Sequence, residues 1–348
     1  MTQYLSDKLR VLSLVSIILV LYIHSGFHAN EIMGMNVNDK VQEFVSGMVG
    51  RCAVPLFYII SGYLFFLKVP DGMQSIYGKM KKRVRTLFVP YIIGCLFFVG
   101  FLALTEVMPG TSRFMNGGIL TLFHKTFLDV TCAIFYDTGN GSPCAFQLWF
   151  LQDLIIIVSS SPLWYVCLKR MKWAFVAVAF GLTYLQIHHV PFYALFWFVF
   201  GGQLSNKKFI SGGVKQTVVT SVLFLVVSGM QLSMPDVIDW DLVKIPLILL
   251  GIYAAWGLYD IVVGEKFVLS EHRWLATACQ FTFFIYLFHE PTLNIVRKLI
   301  VAILGKNEFG YLTSYIISPW LFTVCAVLWG LLFKKYFPTV YNVCTGGR

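Results

Sequence analysis

Long apolar stretches recur along the whole chain, separated by short polar segments. A helix needs about 20 predominantly apolar residues to cross the hydrocarbon core of a bilayer. Ten stretches approach that length, near 11–28, 43–67, 87–108, 145–168, 173–189, 191–205, 216–233, 242–263, 275–301 and 311–333. The sixth is short, and only Pro191 parts it from the fifth, so these two are expected to form a tight helical hairpin. The longest polar interval runs from about 109 to 144. Its middle, Ile119 to Phe135, is moderately apolar but carries His124, Lys125 and Asp129, which predicts an interfacial or re-entrant helix rather than a span. Gly139-Asn140-Gly141 is a turn signal, and Asp236 to Asp241 is an acidic loop. The pattern predicts an all-α polytopic membrane helical bundle of about ten transmembrane helices, with no sequence repeat and no low-complexity tail.

Composition narrows this further. The chain has 348 residues, 57% hydrophobic and only 13% charged, too little charged surface for a soluble domain of that size. Length alone would allow two or three domains, but the recurrence of spans predicts a single membrane-embedded domain over 1–348. The net charge of +10 would raise nucleic acid in a soluble protein. Here the basic residues cluster in alternate loops, the pattern that sets membrane topology, so no nucleic-acid partner is expected. With the N-terminus in the cytosol, the inside loops hold 19 of the 27 Lys and Arg residues, among them Lys207, Lys208 and Arg348. Both termini are then cytosolic, and a bacterial cytoplasmic (inner) membrane location is expected. For the run Lys79, Lys81, Lys82, Arg83 and Arg85, orientation with lipid headgroup contact and a binding role both remain open. Lys8 and Arg10 precede the first apolar stretch as in a signal peptide, but no small-residue cleavage site follows, so it reads as a retained helix. Eight cysteines without a CxxC pair argue against a zinc or redox site, and no metal is expected. Cys132 and Cys144 share an outside loop, which leaves a disulfide open.

Ionisable residues inside a span are costly and are functional candidates by default. His24, Asp153, Asp260 and the pair His289-Glu290 qualify. His24 lies fourteen residues after Arg10, roughly 21 Å along a helix and about four turns on, so the two share one face. A neutral imidazole suits a general base, whereas a lone His in an apolar helix is often hydrogen-bonded core. In Val54-Pro55-Leu56-Phe57-Tyr58-Ile59-Ile60-Ser61-Gly62-Tyr63, the proline frees a backbone carbonyl and Ser61-Gly62 permits close helix approach. That run needs only tight packing to explain it. Arg83 and Arg85 enter the third span from the cytosol, where arginines can hold phosphates bidentately. Coenzyme A, with its several phosphates, is a suitable partner.

Together these residues resemble the acyltransferase-3 family of integral membrane acyltransferases. Arg10 to His24 is similar to that family's Arg-to-His first helix, and Val54 to Tyr63 looks like its Pro-Leu-Phe-Phe-x-x-Ser-Gly-Tyr helix. Lys82-Arg83-Val84-Arg85 with Pro90-Tyr91 resembles its basic loop and the Pro-Tyr that follows. Gln147-Leu148-Trp149-Phe150-Leu151, with Pro162 beyond, resembles its His-Leu-Trp-Phe-Leu helix, with Gln147 where a His is common. Phe284 to His289 resembles its late Tyr-Leu-x-His motif, and Thr345-Gly346-Gly347-Arg348 an ending found in part of the family. The family spaces its Arg about eleven residues before the His; the fourteen here keep the face and add nearly a turn of depth. Some members carry an additional soluble hydrolase-like domain, which is not expected here.

The resemblance implies acyl transfer, acetyl in the first place and succinyl as the alternative, onto a hydroxyl of an envelope glycan or another acceptor. Acetyl-CoA or succinyl-CoA is the donor, no cofactor is permanently bound, and membrane lipids surround the chain. His24 becomes the base, and Arg10, Lys82, Arg83 and Arg85 become donor contacts. Asp153, with Glu290 second, is the candidate to orient the imidazole. Direct transfer and an acyl-His intermediate both remain open. His289 either positions acceptor hydroxyls or satisfies a helix end beside Pro291. Trp149, Phe57 and Tyr63 either stack on sugar faces or simply pack, and Arg51 stands where an anionic acceptor or a lipid phosphate can dock. Asp260 is expected to be a structural partner near the cytosolic end of its helix. The runner-up is a transporter or flippase of a lipid-linked saccharide, although the paired broken helices of such proteins are not seen.

Overall fold

The computed structural model describes residues 1–27, 31, 33–69, 72–108, 119–139, 141–185, 190–205, 213–234, 239–264 and 266–347. Asn140, Lys207, Lys208, Asp236 and Arg348 therefore lie outside the described residues. Every element among those described is helical. In chain order they are α1 (Gln3–Ser25), α2 (Asn36–Gln42), α3 (Ala53–Phe66), α4 (Met73–Val107), α5 (Phe127–Phe135), α6 (Trp149–Ser159), α7 (Ser161–Met171) and α8 (Trp173–Leu182). There follow α9 (Phe192–Leu204), α10 (Val214–Ser233), α11 (Trp240–Val262), α12 (Arg273–Gln280), α13 (Thr282–Phe288), α14 (Thr292–Leu304), α15 (Glu308–Tyr336) and α16 (Pro338–Thr345). A π-helical stretch, Glu43–Val49, and a 3-10 turn, Gly50–Cys52, join α2 to α3.

Among the described residues, six helices are long and apolar enough to cross a membrane, or seven if the bent pair formed by α6 and α7 counts as one span. This is a multi-pass membrane protein. Four of the ten expected spans are not single full-length helices, the bent pair α6–α7 being the first. With 10 and 13 residues, α8 and α9 are each shorter than a bilayer crossing requires. The apolar stretch near 275–301 is broken twice, at Phe281 and at His289-Glu290-Pro291, into α12, α13 and α14. Pro291 lacks a backbone N–H to continue the ladder. The segment from Ile119 to Phe135 is a 3-10 turn followed by the nine-residue α5, with Phe127 and Leu128 strongly exposed. It is too short to span.

The helices gather into two compact units. The first comprises Met1–Ser61, Leu204–Tyr286 and Thr292–Gly330; the second comprises Gly62–Gln203, Leu287–Pro291 and Leu331–Arg348. In the first, α1 packs beside α12 and α14, and α10 lies along α11. The outward faces of α10 and α15 expose Val218, Val222, Leu225, Ile317, Val324 and Leu328, an apolar band suited to lipid. In the second unit, α4 packs against α6, α7 and α16. Gly62 lies so close to α9 that any side chain there would run into the Phe198 carbonyl, which is the close approach expected of Ser61-Gly62. Lys79 donates to the carbonyls of Phe65 (2.9 Å) and Leu67 (2.8 Å), capping the end of α3. Cys132 and Cys144 are free thiols, with the Cys144 amide donating to the Ala133 carbonyl at 2.9 Å. Burial raises the Cys144 thiol above its ordinary pKa.

Candidate functional site

His24 sits in the last turn of α1, half-buried. The final carbonyls of a helix lack intrahelical donors and favour a cation beside them. Arg297 of α14 fills that role, its guanidinium donating from Nη1 to the Gly26 carbonyl. Its Nη2 donates to Asn294 Oδ1 at 3.0 Å, and the guanidinium lies 4.5 Å from the centre of the Phe27 ring. The Arg297 backbone carbonyl accepts from Ser314 Oγ of α15 at 2.9 Å. The arginine is buried, and its charge is within electrostatic reach of the His24 imidazole.

The α2 end of the next helical segment closes the other side. Gln42 Oε1 accepts from the Phe27 amide at 2.7 Å. A backbone N–H can only donate, so the amide orientation is fixed and Nε2 faces the other way. That Nε2 is buried and has no hydrogen-bond partner among the described residues, and the same holds for the fully buried Ser25 Oγ. The π-helical stretch begins immediately after Gln42, a distortion often found at functional sites. Within it, Ser46 Oγ donates to the Tyr22 carbonyl (2.9 Å) and shares a 2.7 Å hydrogen bond with Tyr315 OH. The C-terminal end of α1 is thus held from three sides within the first unit.

At the other end of α1, Lys8 is 2% exposed and pairs with Asp260 of α11 at 2.6 Å, over the Trp256 ring at 3.9 Å. Tyr4 OH also donates to Asp260, and Asp7 accepts from the Leu269 amide at 3.2 Å. Asp260 is therefore a structural partner, as the sequence suggested. Arg10 is exposed on α1, with its charge acting on Cys279. Arg51 is exposed in the 3-10 turn before α3.

The remaining candidates belong to the second unit. On α4, Lys82 and Arg85 are exposed and Arg83 is half-buried. Tyr63 is buried on α3, and Trp149 is half-buried as the first residue of α6. Asp153 lines a small cleft with Tyr136, Gly141, Gln152, Ile156 and Pro191. His289, fully buried, and Glu290 form the break between α13 and α14, where Gln147 Nε2 donates to the Glu290 carbonyl at 3.4 Å. Gln147, standing where a His is common, thus serves this break. Within the first unit, the charge of Arg297 acts on His24, and this arginine was not among the sequence candidates. The signal was present, because Arg297 is an ionisable residue within the predicted span 275–301. Gln42 gave none, since it precedes the predicted span by one residue. Among the described residues no three His, Cys, Asp or Glu side chains gather as metal ligands.

The family model described as an acyltransferase domain, acyltransferase-3, matches residues 8–334. The chain belongs to this acyltransferase family. It is also 23% identical over 324 residues to the "Succinoglycan biosynthesis protein ExoH" of Rhizobium meliloti (strain 1021), covering 89% of this chain and 83% of the relative. No solved structure matches.

Proposed function

We propose that this protein transfers an acyl group, acetyl in the first place, from cytosolic acyl-CoA to a hydroxyl of an extracytoplasmic or lipid-linked envelope glycan. The observation that carries the reading is a half-buried His24 at the end of α1, beside a buried arginine, in a chain of the acyltransferase family. The relative's part in succinoglycan biosynthesis supports a glycan acceptor, and the family match lends the transporter alternative no support. The chain crosses a bacterial cytoplasmic membrane about ten times with both termini inside, counting α6–α7 and α12–α14 as one broken span each and α8 and α9 as short ones. His24 then lies toward the outer side.

In this mechanism the acyl-CoA phosphates rest on Arg83 and Arg85, with Lys82 and Arg10 adding positive charge. His24 takes the proton of the acceptor hydroxyl, and the oxygen attacks the thioester carbonyl carbon. The tetrahedral intermediate expels the coenzyme A thiolate, which takes the proton back from the imidazolium. Asp153 or Glu290 orients the imidazole, and Arg51, Tyr63, Trp149 and His289 contact the acceptor. The test uses purified protein in detergent with radiolabelled acetyl-CoA and extracted envelope glycans. Wild type transfers label and His24→Ala does not; a wild type that neither binds nor turns over acetyl-CoA or succinyl-CoA sinks the proposal.

A further inference from the structure

We infer that α16 is a strap that sets the position of the basic turn of α4, and that Gly346 is its positioning residue for acyl-CoA binding. The inference rests on the acyl-transfer reading, in which Arg83 and Arg85 hold the donor phosphates. It deepens that reading by naming what keeps those arginines in place. Both α16 and the part of α4 that it meets lie in the second unit.

Lys82, Arg83 and Arg85 fall within one turn of α4. None of the three side chains makes a hydrogen bond or an ion pair with another described residue. Like charges this close repel, so they do not fix one another. Their placement is inherited from the α4 backbone, and a binding group keeps its geometry only where the structure beneath it is supported.

The support comes from α16. Pro338 opens this helix, and Tyr341, Cys344 and Thr345 form its buried side, whereas Val340 and Val343 are exposed. It closes with two hydrogen bonds, from the Gly346 amide to the Val343 carbonyl at 3.3 Å and from the Gly347 amide to the Asn342 carbonyl at 2.7 Å. This is the helix ending that requires a left-handed residue, and Gly346 supplies it with φ +66°. A second constraint falls on the same glycine. A Cβ there would stand 2.4 Å from the Thr86 carbonyl oxygen and 3.3 Å from Thr86 Cα. Those are backbone atoms of α4, which cannot rotate aside as a flexible side chain would. Thr86 adjoins Arg85, and its Oγ1 donates to the Arg83 carbonyl at 3.2 Å. The end of α16 therefore seats on the α4 backbone at the turn that bears the arginines. Gly347 provides the contrast. Its φ is also positive, +75°, but a Cβ on it would meet nothing within 4 Å. The two glycines share a backbone demand and differ in their contact with α4.

Gly346→Ala and Gly347→Ala are compared with wild type in detergent, using radiolabelled acyl-CoA for kcat and donor KM, beside thermal melting. Both melting temperatures should fall together, because each variant forces alanine into the left-handed region. Only Gly346→Ala should raise the donor KM, by about tenfold, the equivalent of one displaced charge-assisted hydrogen bond, with kcat within about twofold. In a background carrying Arg83→Gln and Arg85→Gln, Gly346→Ala should change KM by less than about threefold, since the contacts it positions are already gone. A Gly346→Ala protein with wild-type KM overturns the inference and leaves the acyl-transfer reading standing. So does an equal KM rise in Gly347→Ala, or a full effect in the background without the arginines. If Gly346→Ala fails to fold, Tyr341→Leu takes its place, thinning the buried side of α16 without adding an atom against α4. Its donor KM should rise at least about threefold, and an unchanged value overturns the inference. If wild type neither binds nor turns over acyl-CoA, the parent reading fails and this inference fails with it.

Discussion

The two ends of α1 hold buried charge in different surroundings. Near its start, Lys8 meets a carboxylate directly, at 2.6 Å from Asp260, with Tyr4 on the same oxygen and Trp256 under the ammonium. Near its finish, Arg297 donates to a backbone carbonyl and a side-chain amide oxygen and lies over an aromatic ring, beside His24. A cation matched to a carboxylate is spent on holding two helices together. A buried cation beside a half-buried imidazole sets the charge environment of that imidazole. One helix thus carries an anchor at one end and a candidate reaction centre at the other, and the two ends should fail differently when damaged.

The largest effect is expected at the reaction end. His24→Ala should lower acyl transfer by about 10²–10⁴-fold, the usual worth of a general base, with little change in melting temperature. Loss of folded protein instead of activity would place His24 among the packing residues and erase the contrast. At the anchored end, Lys8→Met strands Asp260, which is one-fifth exposed. The expected destabilisation is roughly 2–3 kcal/mol, below the range for fully buried pairs, read as a lower melting temperature in detergent. Adding Asp260→Leu should restore most of that stability, because the pair as a whole is worth far less than a lone buried charge. Activity per folded molecule should stay near wild type in both. A specific loss of kcat in Lys8→Met would mean that the anchor also serves the chemistry.

The sequence made the membrane class and the family legible because those signals are local and redundant. Apolar runs announce membrane helices, and ordered motifs announce the family. His24 and Asp260 were visible for the same reason, as polar exceptions in apolar helices. The stretch near 275–301 shows where this reading stops. It is apolar on average, but His289-Glu290-Pro291 divides it, and mean apolarity does not register a break in the hydrogen-bond ladder. The partners of a buried charge are the other blind spot. Arg297 lies 273 residues beyond His24 (297 minus 24), and nothing in either local sequence pairs them. Gln42 is more hidden still, since an uncharged amide at the edge of a span looks like any loop residue until the Phe27 amide fixes one end of it.

The same distinction between holding and binding can be sharpened on α4, where the expected effects are smallest. Lys79 and Arg83 stand one turn apart on this helix, close enough to belong to one basic ridge. Yet Lys79 is already committed to two carbonyls at the end of α3, whereas Lys82 and Arg85 are exposed to solvent. Lys79→Gln should therefore lower the melting temperature, at a cost of about 1–2 kcal/mol, and leave the KM for acyl-CoA unchanged. Arg83→Gln and Arg85→Gln should do the reverse, each raising that KM by about tenfold, the equivalent of one charge-assisted hydrogen bond, with kcat within about twofold. The Arg85 effect should also shrink as salt rises, because an exposed charge is screened within about a Debye length. If Lys79→Gln raised the donor KM as much as Arg83→Gln, the capping lysine would be part of the donor site, and burial with a full set of hydrogen bonds would no longer separate anchors from ligands in this protein.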